Sequence, residues 1–466
     1  MGIARMAPVR GHSVFSRQIR AIAGGHGIAT VQILRSPLLY LIEMFFWRLS
    51  FLVIPTAALT LGVTQPGLKK PTFSKDIAPI VYKRCISCHS DSHIAPFSLV
   101  GYQNVRDHAA TIAKVTALGV MPPWKAKAGY GEFKDVQALS NDEKAMIEQW
   151  SKSGAPEGDA SETPVPPTFV PGWRLGQPDL IIAPAKPTNI PAEGSDFFRD
   201  YLIDPHVTKA TWVRAVDFMP LNSGTVHHII PSLVTKDEVE KLKKIKYDFD
   251  DDSWKQKSIG EIKKYNVLGF WSTGAPPFES PIDTAFLINP GDQIVLDVHY
   301  KTTGKSEIEQ PKVAFYNLKD APKDEMSVNV VAAGDIYVQP GEVSRFYAIG
   351  NKTKVKTTIY AVWPHMHYIG RTFKAWVKFP EGYSKPLIAI ESWDPEWQLL
   401  YHLKSPMVLP IGSKIYVTGT YDNSSKNPRN PNFPPKVIES GESSKDEMLF
   451  FELFQVEEKP KIGKGK

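Results

Sequence analysis

Cysteine is almost missing from this chain, with only two among 466 residues. That excludes a disulfide framework and a four-thiolate zinc site. Acidic residues are missing from one end: residues 1–62 hold Arg5, Arg10, Arg17, Arg20, Arg35 and Arg48, no lysine, and Glu43 as the one acid. Of the formal net charge of +6, this end carries +5, leaving about +1 for everything after it. No basic footprint remains for nucleic acid, which is excluded as a partner. Long apolar runs are scarce as well. The one that stands out, Leu49–Val63, follows Arg48 and precedes Thr64-Gln65-Pro66, the pattern of an export signal. Met44, directly before Phe45-Phe46-Trp47-Arg48, is then the expected start, and residues 1–66 are an extension plus signal. Met44–Val63 is also long enough to remain as a membrane anchor. Both readings place the remainder in the periplasm or otherwise outside the cytoplasm. No internal repeat marks a solenoid or propeller.

Both cysteines fall in Cys85-Ile86-Ser87-Cys88-His89. C-x-x-C-H is the attachment site of a c-type haem, with thioethers from Cys85 and Cys88 and the proximal iron ligand from His89. The rival readings are a redox dithiol or half a zinc site. Residues 71–155 read as a small helical domain, with apolar helical spacing in Asp76–Arg84, Asn104–Leu118 and Asp142–Lys152. Between the last two lies Gly119-Val120-Met121-Pro122-Pro123-Trp124, where a methionine on a rigid loop suits the sixth haem position. Met121 is the expected ligand; His93 and His108 are its rivals, and Met146 reads as core. Residues 156–171, with Pro164, Pro166, Pro167 and Pro171, form a semi-rigid linker.

After the linker the texture changes to short alternating or β-branched runs: Thr211–Phe218, Gln293–Tyr300, Thr357–Val362, Thr372–Phe379, Lys414–Thr420 and Met448–Val456. Turns such as Pro290-Gly291 and Pro410-Ile411-Gly412 punctuate them. The expected fold is multidomain: a small all-α cytochrome domain, then an all-β double sandwich or jelly roll, divided into 172–322 and 323–458, with a basic tail at 459–466. Five histidines of the β region cluster as His227-His228, His299, and His365-Met366-His367. Residues i and i+2 of a strand share a face, so His365 and His367 can chelate one ion. Adjacent His227 and His228 need a bulge or strand end to face the same way. His299 could complete a three-nitrogen site. His206 and His402 read as ordinary histidines. Imidazole suits copper, zinc, iron and nickel, and a nearby thioether favours copper.

In combination, Thr225-Val226-His227-His228, Val298-His299-Tyr300, His365-Met366-His367 with Gly370-Arg371, and Asp446-Glu447-Met448 resemble the copper type II, ascorbate-dependent monooxygenases. That family includes peptidylglycine α-hydroxylating monooxygenase and dopamine β-monooxygenase. The resemblance spans residues 172–458, and the haem-domain fusion resembles bacterial members. It implies two jelly-roll-like domains, each carrying one copper, facing each other across a solvent-filled cleft. His227, His228 and His299 would hold the electron-storing copper; His365, His367 and Met448 would hold the copper that activates O2. Met366 would be packing. The chain departs from the family in having no disulfides, and in carrying Trp363 where peptide-amidating members use an arginine for a substrate carboxylate. A peptide C-terminal glycine is therefore not the expected substrate.

The resemblance implies hydroxylation of a C–H bond of a small organic substrate by O2. An external one-electron donor, ascorbate-like or another cytochrome, would feed the haem, which would feed the coppers. The non-enzymatic alternative is a haem and copper electron-transfer or copper-binding protein. A zinc hydrolase would need a carboxylate base, for which Asp297 is the candidate.

Overall fold

The helical segment is built from local signals that the chain states openly. Ser140 and Glu143 form a reciprocal cap, Glu143 N–H donating to Ser140 Oγ (3.0 Å) and Ser140 N–H to Glu143 Oε2 (2.6 Å), which starts the helix Asn141–Lys152. The computed structural model describes residues 70–90, 95–168, 172–244, 266–441 and 443–459. The export segment with Met44, the expected ligand rival His93, and residues 460–466 of the tail lie outside them. Among the described residues no helix is long and apolar enough to cross a membrane.

A wide turn, Phe73–Ile77, leads into the helix Ala78–Arg84, whose end carries Cys85. The second amphipathic stretch is two helices, Tyr102–Asp107 and Ala109–Ala117, rather than one. The break falls at His108, whose Nδ1 takes the Asn104 carbonyl at 2.8 Å. That is the acceptor its own backbone N–H would use in a continuous helix. Phe73, Ile77, Val81, Val105 and Trp150 form the apolar centre. The start of the expected linker is tied to this unit: Phe73 N–H and Ser74 N–H donate to Pro156 O and Glu157 O, both at 2.9 Å. Thr163 Oγ1 donates to Ser74 Oγ at 2.8 Å.

The remainder is an all-β core. One nine-stranded sheet runs Leu180–Ile182, Lys312–Leu318, Thr211–Met219, Thr284–Ile288, Asp324–Ala332, Phe450–Glu457, Thr357–His365, Tyr401–Leu409, with Phe278–Glu279 beside Thr211–Met219. A five-stranded sheet runs Phe197–Ile203, Gln293–Tyr300, Val226–Val234, Asn266–Val267, with Trp271–Ser272 also on Val226–Val234. A four-stranded sheet runs Val343–Ile349, Lys414–Asp422, Gly370–Lys378, Ser384–Ile390. Burial alternates residue by residue along Lys414–Asp422, a strand with one dry face, whereas Val226–Val234 is buried almost throughout.

Two apolar cores result. Val216, Ile229, Leu296 and Phe315 lie in the first, Val362, Phe373, Val417 and Leu453 in the second. The large sheet does not break where the sequence suggests a division near residue 323. Asp324 and Glu325 pair in parallel with Thr284 and Ala285, and Met326, Ala361, Phe454 and Val456 of the second half pack into the first core. Nor does the helical segment stop at its own core. Residues 124–134 lie on the second half through the bridges Ala126↔Ile390 and Phe133↔Leu403. Ala126 and Phe133 are members of the second core, and Trp124 meets Tyr401 edge-on at 5.1 Å.

Trp150 is fully buried and its Nε1 donates to Pro156 O at 2.9 Å. Trp150→Ala is expected to destabilise the helical segment by about 3–5 kcal/mol. The check is the midpoint of chemical denaturation, which should fall well below that of the unaltered protein.

Candidate metal centre

The strand Gln293–Tyr300 lies antiparallel to Val226–Val234, with His299 opposite His228. The register then slips, and Tyr300 stands opposite Val226. His227 is thus the extra residue of a β-bulge, the device adjacent histidines need to face one way. The result is close. Nδ1 of His227 lies 3.1 Å from Nδ1 of His228 and 3.1 Å from Nδ1 of His299. One ligand nitrogen from each of the three lies within 4.8 Å of the others, and all three residues are buried. These three can hold a metal ion.

The outward nitrogens of two of them face carboxylates. Asp196 Oδ2 is 3.3 Å from His299 Nε2, and Glu396 Oε2 is 4.0 Å from His227 Nε2. Carboxylates there favour the tautomer with the proton on Nε2, which turns the Nδ1 lone pairs of His227 and His299 towards each other. Two facing lone pairs repel unless a donor or a cation lies between them. Phe198 stacks on His299 with ring centres 3.9 Å apart.

His365 closes the strand Thr357–His365, and His367 lies just beyond it. Their rings are 4.9 Å apart and nearly perpendicular. Here Nδ1 is the nitrogen already engaged, by Gln398 Oε1 for His365 and by Asp446 O (3.1 Å) for His367. Nε2 is therefore the atom each presents for a ligand. Phe450 stacks on His365 at 4.2 Å. Glu447 ties the pair to the segment that carries Met448. It accepts from His367 N–H (2.9 Å), Ile369 N–H (2.8 Å) and Met448 N–H (3.2 Å).

The two sets share one pocket. Its wall is Phe198, His227, His228, His299, His365, His367, Tyr368, Pro395, Gln398 and Ser444. His228 and His365 lie 6.4 Å apart by ring centre, so the open cleft that the resemblance implies between the sets is not found here. Two lateral contacts close the gap: Trp363 sits 5.3 Å from His365 and 6.5 Å from His228, packed on Phe270 at 4.1 Å. Met448 is half-buried and does not line the wall, and neither does Asp297, the carboxylate named for the hydrolase reading. Met366 is fully buried in the second core, as packing. Gln398, Glu447, Asp196, Glu396, Phe198 and Ser444 carried no signal in the sequence beyond ordinary polar or aromatic character. Only Glu447 lay inside a segment the sequence singles out.

At the other candidate site, His89 Nδ1 pairs with Phe97 O at 3.0 Å, which directs Nε2 to an incoming ligand. Burial pushes the Cys85 thiol up to about 12. His108 is occupied by Asn104 O and stacks on Phe97 at 4.1 Å. Met121 is half-buried in the loop after Ala109–Ala117, its N–H on Val115 O at 3.3 Å.

No family model matches the chain, and no curated protein matches it. Solved structures show only faint likeness. PNGF-II is 10% identical with a TM-score of 0.22, covering 56% of this chain and 60% of that chain. Infectious bursal disease virus Gt strain is 10% identical with a TM-score of 0.15, covering 58% and 68%. Oxalate decarboxylase from Bacillus subtilis is 8% identical with a TM-score of 0.12, covering 63% and 81%. The chain thus spans less than two thirds of the length of the first of these, and such scores carry no argument for fold or function.

Burial keeps the imidazoles neutral: it lowers His227, pushes His228 and His365 well below the usual value, and takes His299 down to about 3. An unfolded histidine takes up a proton near pH 6.5, so below that pH the unfolded chain binds more protons than the folded one. The metal-free protein should lose stability as pH falls from about 6.5 towards 3. Glu447 works at the other end. Burial raises it to about 8, so the stability its proton confers is present at low pH and lost as pH rises through that value. Denaturation midpoints of the metal-free protein against pH should fall on both sides, and Glu447→Gln should flatten the alkaline fall alone.

Proposed function

We propose that this protein is an exported copper-dependent monooxygenase that hydroxylates a C–H bond of a small organic substrate with O2, drawing electrons through a covalent haem c. The observation that carries the reading is the pocket of five buried imidazoles in two donor sets, one converging through Nδ1 and one presenting Nε2. His227, His228 and His299 would hold one copper; His365 and His367, with Met448, would hold the other. Cys85, Cys88 and His89 would carry the haem, with Met121 as its sixth ligand. Bound copper supplies one-electron redox chemistry and O2 activation, and imidazole with thioether is a donor set that suits Cu(I).

The chain's own residues do the remaining work. Asp196 sets the tautomer of His299, while Gln398 and the Asp446 carbonyl do so for His365 and His367. Phe198 and Phe450, stacked on their histidines, keep water from the flanks of the pocket. Glu447 bridges the His367 and Met448 backbones, so the segment bearing the thioether is fixed relative to the imidazole pair. The partners of this reading are O2, a small-molecule substrate and an external one-electron donor, with residues 44–63 as a signal or membrane anchor. The position of Met448 off the pocket wall favours, as a second reading, a haem and copper electron-transfer protein without oxygenase turnover.

Metal analysis of protein purified from its native compartment is expected to give two coppers for each haem iron. Because the donor sets are neighbours, the cupric ions should couple magnetically and yield fewer EPR spins than copper atoms. His365→Ala should leave one copper with an isolated spectrum. Oxygen uptake by the reduced, copper-loaded protein over a substrate library separates the two readings: substrate-dependent uptake supports the oxygenase, and its absence in a fully loaded protein favours electron transfer. Zinc in place of copper overturns both.

A further inference from the structure

The C-x-x-C-H segment meets the β core at a point the function does not by itself require. Gly274 has a left-handed backbone (φ +83°), and a Cβ placed on it would lie 2.7 Å from Cys88 Sγ. The turn backbone thus touches the sulfur of one attachment cysteine, an approach only glycine permits. Two residues earlier stands Ser272, opposite His228 in the strand pairing. Ser272 is almost fully buried, and its Oγ donates to Gln398 O at 3.1 Å. Gln398 in turn engages His365 Nδ1 through Oε1. One short turn therefore reaches both donor sets, His228 across the backbone ladder and His365 through a hydrogen-bonded glutamine.

The turn is also held still. Ala275 N–H donates to Ser272 O at 2.9 Å. Arg174 donates through Nη1 to Ala275 O at 2.7 Å, while its Nη2 grips buried Asp217 at 2.7 Å.

We propose that the turn Ser272–Ala275 is the electron-transfer contact between the Cys85–His89 segment and the histidine pocket. This rests on the haem and copper reading above. In the step, one electron leaves ferrous haem, which becomes ferric, and one Cu(II) becomes Cu(I); no proton moves and no bond is made or broken. A soluble one-electron donor, a reduced cytochrome or ascorbate, restores the ferrous state. Bonds and hydrogen bonds attenuate electron coupling less than empty space does, which is what the contact and the Ser272–Gln398–His365 chain provide.

The test uses the full chain with haem attached and copper loaded, under anaerobic conditions. The haem is photoreduced, and its reoxidation by Cu(II) is followed by visible absorbance. Gly274→Ala is expected to slow this phase severalfold, with copper content, haem spectrum and haem potential unchanged. Gly304→Ala has the same left-handed backbone (φ +86°) with nothing within 4 Å of the added methyl, and should leave the rate as it was. Ser272→Ala removes only a hydroxyl and should also slow it, which keeps the test open should Gly274→Ala fold poorly. Equal rates in the unaltered protein, Gly274→Ala and Ser272→Ala would overturn the contact and leave the haem and copper reading standing. Ferrous haem that persists beside Cu(II) in the unaltered protein would overturn the relay and the contact together.

Discussion

Three buried imidazoles, with the Nδ1 atoms of His228 and His299 each 3.1 Å from that of His227, are the constraint around which the β core is arranged. A carboxylate at the outer nitrogen, as for His227 and His299, favours a lone pair on the inner one, and two lone pairs at that distance repel. Protonation would relieve the repulsion, but burial opposes it: a charged imidazole there has lost its hydration. A bound cation relieves both at once. The bulge at His227, the stacking of Phe198 and the carboxylates of Asp196 and Glu396 all serve that arrangement.

The second donor set is placed by the same sheet architecture but with the opposite nitrogen. His365 ends a central strand of the large sheet, and His228 lies on a central strand of the five-stranded sheet. The continuous sheet across Thr284–Asp324 therefore matters to the site, because a hinge at that point would let the two strand ends part. The interleaving of Met326, Ala361, Phe454 and Val456 with the first core works against such parting. The helical segment is likewise built into the core, by Ala126 and Phe133 on one side and by Cys88 against Gly274 on the other.

Much of the fold was legible in the order of residues. Gln293–Tyr300 is a strand over the very span its alternation suggests, and Thr211–Met219, Thr357–His365 and Lys414–Asp422 extend theirs by one to three residues. The helices after Ser140 and before Cys85 follow from apolar spacing. The break at His108 was not legible, because it depends on which acceptor a side chain takes. The need for a bulge at His227-His228 was readable from strand geometry alone, and that bulge is present. The partners that orient the histidines were not readable: Gln398, Asp196 and Glu396 are distant in sequence from the rings they serve, and each looks like an ordinary surface residue until the sheets bring it in.

The sequence by itself determined which residues are candidates for the chemistry, since side-chain type and spacing are local properties: the Cys85–His89 motif, the paired His227-His228 and the His365-x-His367 alternation. Only the tertiary structure decided that the two histidine groups share one pocket, which nitrogen each ring presents, and that Cys88 meets the turn leading to His228. Those outcomes depend on how strands far apart in the chain pack, on burial that strips water from the imidazoles, and on a glycine whose missing side chain lets two backbones touch.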